Sequence, residues 1–149
     1  IDFFHPMIKK TKTRRTKFKN FDHIFDIYRK KNIFSRIRDE DLKNYIFSIV
    51  ENHGDNIKIN ISKEWESAIY RNGSLKDNYI WSNLQDLKTS TAILTPQSDD
   101  FGHFNYGTQL IKKNSSIKHF TVKNSTHLFP MERPKKTTEI IMKVVNKKF

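Results

Sequence analysis

The chain has 149 residues, enough for one domain of ordinary size, and it is polar but foldable, with 36% hydrophobic, 13% aromatic and 30% charged residues. Twelve Phe, five Tyr and two Trp exclude wholesale disorder, and the absence of cysteine excludes a disulfide framework and a thiolate-held metal. The net charge of +12 invites a polyanionic partner, but lysine outnumbers arginine 21 to 7, whereas base-reading proteins lean on arginine.

In chain order, Ile1–Ile8 reads as the tail of an apolar strand running into a loop at Pro6. Lys9–Lys19 holds seven basic residues in eleven and is expected to be an exposed, poorly ordered loop. Asn20–Lys31 is a predicted helix: Phe21, Ile24, Phe25 and Tyr28 share one face, Asn20 caps the start, and three cations close the end. Arg38–His53 is a second predicted helix, with Asp39, Glu40 and Asp41 in the first turn, a stripe of Leu42, Tyr45, Ile46 and Ile49, and Gly54 as terminator. Asn56–Ile61 alternates as a short strand. Ser62 is placed to cap a short helix through Tyr70, Asn72-Gly73 marks a turn, and Asp77–Leu87 is again helical.

The texture changes after Lys88. Thr89–Thr95 is a β-type run stopped by Pro96, Phe104–Lys113 is helix-like, and Ile117–Lys123 alternates as a strand. Pro134 then opens a helix through Lys147; proline suits a first helical turn because the N–H it lacks would have no partner there. Strand, helix, strand, helix is the pattern of a parallel α/β sheet. Thr91–Thr95 and Phe120–Lys123 are therefore expected to be adjacent parallel strands joined by the intervening helix. Two strands alone do not make such a sheet, so others must come from elsewhere.

In each strand of this half a β-type run ends and polar residues follow at once. Reactive groups of open α/β sheets gather at those carboxyl ends. Asp99 and Asp100 follow the first strand and His127 follows the second, an acid before a histidine. Pro96-Gln97-Ser98-Asp99 resembles the end of the late core strand of α/β-hydrolases, where a glycine, two variable residues and an acid are usual. The run from His127 through Leu128, Phe129, Pro130, Met131 and Glu132 to Arg133-Pro134 is similar to the family's last loop, a histidine followed by Glu-x-Pro before the final helix. Thr126 stands where a glycine is common. Ile1-Asp2 looks like the end of the strand preceding the inserted cap, and the segments Thr13–Phe18 and Lys63–Tyr70 resemble cap segments of lipase- and esterase-like members.

The resemblance implies a fold class of α/β, the C-terminal portion of an α/β-hydrolase parallel sheet with a helical cap insertion. Residues 1–8 would end a core strand, 9–80 would form the cap, and 81–149 the C-terminal part of the core. It implies an enzyme that hydrolyses an ester or related bond of a small-molecule substrate by a triad, with His127 as base and Asp99 as acid; Asp100 and Asp2 are the rival acids. Glu132 is expected to cap or charge-stabilise the last helix. No cofactor or metal is expected, no segment reaches the length of a membrane span, and a cytoplasmic location fits the absence of cysteine. The nucleophile elbow Gly-x-Ser-x-Gly occurs nowhere in the 149 residues. The simplest expectation is a C-terminal fragment of a longer protein, inactive alone. The alternative is a small basic module binding nucleic acid or another polyanion.

Overall fold

In the computed structural model, described for residues 6–73, 77–98 and 106–146, the chain divides into two compact units. One comprises residues up to Lys31 together with Asp39–Ser82; the other comprises Asn32–Arg38 and residues from Asn83 onward.

The first unit is built from helices α1 (Pro6–Thr13), α2 (Phe21–Arg29), α3 (Asp39–Ile49) and α4 (Lys63–Gly73), with a three-stranded antiparallel sheet of β1 (Lys17–Phe18), β2 (Val50–His53) and β3 (Asn56–Ile59) in the order β1-β3-β2. Ile24 and Tyr28 of α2, and Leu42, Ile46 and Ile49 of α3, are buried, as the helical stripes require. Asn20 caps α2 through a 3.0 Å bond from the His23 N–H, and Ser62 caps α4 through a 2.9 Å bond from the Trp65 N–H.

Four expectations are corrected here. Pro6–Ile8 are not the approach to a loop: they open α1, with proline in the first turn and Ile8 only 1% exposed. The basic run is not a disordered loop, because it continues α1 and then forms β1. Thr11 and Phe18 are buried within it while Lys9, Lys10, Lys12, Arg15, Lys17 and Lys19 stay exposed. The cations hide a buried i, i+3 pair on α1, Ile8 and Thr11, and α1 packs on α4. Helix α3 stops at Ile49, since Val50–His53 pairs with β3 in a hairpin turned by Gly54, whose φ is +60°. The turn placed at Asn72-Gly73 is instead the end of α4.

The second unit carries the parallel pair. After α5 (Asp77–Asn83), whose residues up to Ser82 belong to the first unit, the second unit runs through a 3-10 turn, Leu84–Asp86, then β4 (Ala92–Pro96), α6 (Tyr106–Lys113), β5 (Lys118–Val122), α7 (Phe129–Glu132) and α8 (Pro134–Val145). β4 and β5 pair parallel from Ala92↔Lys118 to Pro96↔Val122, as expected, and Pro96 is the strand's last member rather than its stop. Asn114, just past α6, donates to the Leu84 carbonyl at 2.8 Å and ties the 3-10 turn to the crossover. α6 lies against both strands and α8 against β5. Ile117, Val122 and Ile140 are buried. Gly107 of α6 sits over His119 of β5: a Cβ built there would lie 2.2 Å from Nε2, so no other residue fits unless the ring moves.

Candidate functional site

The carboxyl ends of β4 and β5 are stitched together, and the candidate histidine hangs from that seam. The Gln97 N–H donates to the Val122 carbonyl at 3.1 Å. The Asn124 N–H donates to Gln97 Oε1 at 2.7 Å. Ser98 donates both its N–H (3.1 Å) and its hydroxyl (3.2 Å) to the Ser125 carbonyl. The seam therefore joins the residue before Asp99 to a residue two before His127. Asp99, Asp100 and Asp2 lie outside the described residues. His127 is exposed, whereas Ser125 and Thr126 before it are buried.

Left-handed backbone in this loop falls on Asn124, with φ +54°. Asparagine tolerates that region better than most residues. The glycine expected before the histidine is thus not needed at Thr126, since the turn is made two residues earlier. Ser125 is fully buried and its hydroxyl donates to the Val122 carbonyl at 2.7 Å. It is held inside the strand end rather than offered as a nucleophile.

The capping role expected of Glu132 is corrected. Glu132 does not cap α8, whose N-cap, Arg133, makes no side-chain capping bond. Its carboxylate is 7% exposed and turns back to the loop: Oε2 accepts the Thr126 N–H at 2.8 Å and Oε1 accepts the Thr126 hydroxyl. Arg133 turns back as well, its Nε donating to the Asn124 carbonyl at 2.9 Å. The only sequence signal for this arrangement was the spacing from Thr126 to Glu132 across a proline, and no local rule reads such a spacing as a clamp.

The first unit has a cleft of about 630 Å³ lined among others by Arg14, Tyr45, Trp65, Glu66 and Ile69. Arg14 Nη1 lies 2.5 Å from Glu66 Oε2, and Arg14 Nη2 donates to the Ile61 carbonyl at 3.1 Å. Burial pushes the Tyr28 hydroxyl up to about 12, and the Tyr45 and Tyr70 hydroxyls upward for the same first reason, so the phenols around this ion pair stay neutral well into alkali. Trp65 and Ile69, one turn apart on α4, are 68% and 50% exposed. Among the described residues no three His, Asp or Glu side chains gather as a metal site, and no helix is long and apolar enough to cross a membrane.

The sequence matches no family model and no curated protein. Similar folds do exist among solved structures. The peroxisomal α/β-hydrolase Lpx1 of Saccharomyces cerevisiae superimposes with a TM-score of 0.77 at 14% identity, over 95% of this chain and 37% of that one. E-2-(acetamidomethylene)succinate hydrolase does so with a TM-score of 0.75 at 9% identity, over 93% of this chain and 50% of the other. A thioesterase domain from the curacin biosynthetic pathway gives 0.64 at 10% identity, over 89% and 46%. At these identities the common property is the fold. The chain has part of the α/β-hydrolase fold, as the closing segments of the sequence led one to expect, and spans half or less of the length of the structures it matches.

Proposed function

We propose that this chain supplies the cap and the late core strands of a capped α/β-hydrolase acting on an ester or related bond, with His127 as the triad base and Asp99 as its acid. The observation that carries the reading is the seam between Ser98 and Ser125, which couples the strand end before Asp99 to the loop of His127. His127 would take the proton of a nucleophile and return it to the leaving group. A carboxylate on its other ring nitrogen would fix the tautomer and stabilise the imidazolium. The nucleophile and the oxyanion donors belong to the elbow and an earlier loop in this fold, and no Gly-x-Ser-x-Gly occurs in the 149 residues. The triad would be completed by sequence outside them. Residues 9–80 would form the cap, and the exposed Trp65 and Ile69 beside its cleft suit an apolar part of the substrate.

The test is an aryl-ester assay of this chain alone and of the same chain joined to whatever coding sequence lies upstream of it. The expected result is no turnover by the chain alone, and turnover by the joined protein that is lost in His127→Ala and in Asp99→Asn. Turnover by the 149 residues that disappears in His127→Ala would place a nucleophile among them and overturn the incomplete-catalyst reading. Loss in Asp2→Asn or Asp100→Asn with Asp99→Asn active would reassign the acid.

A further inference from the structure

We infer that Glu132 is the positioning residue of the histidine loop, its buried carboxylate fixing the backbone from which His127 projects. The inference rests on the reading of His127 as the triad base.

All three polar groups of Thr126, the residue before His127, are engaged. Its N–H and its hydroxyl go to the two oxygens of Glu132, and its carbonyl accepts the Phe129 N–H at 2.9 Å. Both partners are buried, Thr126 at 6% exposure and Glu132 at 7%. Taking a carboxylate out of water is costly, and charge-assisted hydrogen bonds are what offset it. A group kept at that cost is explained by what it holds, and what it holds is one residue. A carboxylate is also the side chain that accepts from an N–H and an O–H of the same residue at once, because it has two acceptor atoms and no donor.

A helix-stabilising role does not account for the arrangement. Glu132 precedes Arg133, the N-cap of α8, and both its oxygens accept from Thr126, six residues back in the loop. The neighbouring anchors act in the same direction. Asn124 is held at its N–H by Gln97 and at its carbonyl by Arg133, and Ser125 at its carbonyl by Ser98. Residues 124–126 thus form a fixed base directly before the exposed His127. Triad chemistry needs such a base, since a displacement of about 1 Å in a reacting group costs on the order of a hundredfold in rate.

The experiment follows amide exchange at residue 126 and the ring Cε1–H signal of His127 by NMR in this chain, for the wild type, Glu132→Ala, Glu132→Gln and Thr126→Val. Glu132→Ala is expected to speed exchange at Thr126 by about tenfold or more and to broaden or split the His127 signal, while amides of β4, β5 and α8 change by less than about twofold. Glu132→Gln restores a sharp His127 signal, because its carbonyl accepts the Thr126 N–H and its NH2 donates to the Thr126 hydroxyl. Thr126→Val moves both readouts the same way as Glu132→Ala, by less. An unchanged His127 signal in folded Glu132→Ala, or lost protection confined to α8, would overturn the inference; should that variant not fold, an unchanged signal in Thr126→Val would do so. In the joined protein Glu132→Ala should lower kcat about tenfold or more with KM little changed. A loosened loop with His127→Ala still fully active would sink the triad reading and leave the positioning role standing. An essential His127 with Glu132→Ala unaffected in loop and in kcat would sink the positioning role alone.

Discussion

Ser98 gives two hydrogen bonds to a single acceptor, the Ser125 carbonyl, from its backbone N–H at 3.1 Å and its hydroxyl at 3.2 Å. A carbonyl has two lone pairs, so both bonds are satisfied at once. The two parallel strands are in this way joined again two residues beyond Pro96 and three beyond Val122, their last paired residues. The stability of this seam is open to direct test.

Ser125→Ala removes the 2.7 Å bond to the Val122 carbonyl, which keeps the Gln97 N–H at 3.1 Å. No buried acceptor is left bare, so the expected loss is about 1 kcal/mol. Ser125→Val adds volume at a fully buried position and should cost more, about 2 kcal/mol or above. Urea unfolding of both variants checks this: the midpoint should fall with the slope unchanged. A Val variant as stable as the Ala variant would mean that the strand end is looser than its hydrogen bonds imply.

Gly107→Ala sets two effects of opposite sign against each other. In an exposed helix the change stabilises by up to about 1 kcal/mol. Here the new methyl meets the His119 ring at 2.2 Å, and that ring shares a 2.7 Å hydrogen bond with the Thr95 hydroxyl. Displacing the ring loses that bond as well as packing, so the clash wins and the variant is destabilised by about 1–3 kcal/mol. In a His119→Ala background the same substitution should be neutral or stabilising. A double-mutant cycle with no coupling would rule the contact out.

Glu66→Ala leaves the Arg14 guanidinium, with side-chain exposure of 21%, without its carboxylate. Full burial would make such a loss worth about 3–5 kcal/mol; the remaining solvent access reduces it to about 1–3 kcal/mol. Replacing both partners by methionine should recover part of the loss, since no charge is then stranded. Denaturant unfolding of the single and double variants provides the comparison, and a double variant worse than Glu66→Ala would contradict it.

Alkaline stability should follow the buried phenols. Tyr28 is raised from 10.0 to about 12, first by burial, and Tyr45 and Tyr70 are raised as well. In that window the folded state holds protons that the unfolded state has released. The contribution is therefore complete below pH 10 and is lost as the pH rises through 12. Urea midpoints should decline above pH 10, and less steeply in Tyr28→Phe, with tyrosinate absorbance of the folded protein rising later than that of the unfolded chain. Equal slopes for wild type and Tyr28→Phe would refute the role of that residue.

The sequence by itself determined what depends on near neighbours in the chain. Asn20 and Ser62 cap helices because a short polar side chain reaches the N–H groups three residues on. The stripes of α2 and α3 are buried because their period is that of the helix, and the β4–α6–β5 unit is legible because a crossover of that length permits a parallel pair. The closing segment from His127 to Pro134 also carried the resemblance that gave the fold its class. Tertiary structure alone decided the rest. Val50–His53 leaves the helical pattern because β3 offers it hydrogen bonds, and a basic stretch becomes α1 and β1 because α4 and β3 cover Ile8, Thr11 and Phe18. Glu132 turns from the helix after it to Thr126 behind it. In each case the deciding partner is a separate element, which the periodicity of the segment itself does not reveal. Hydrogen bonds and packing offered by such a partner outweigh a helix propensity worth a few tenths of a kcal/mol per residue.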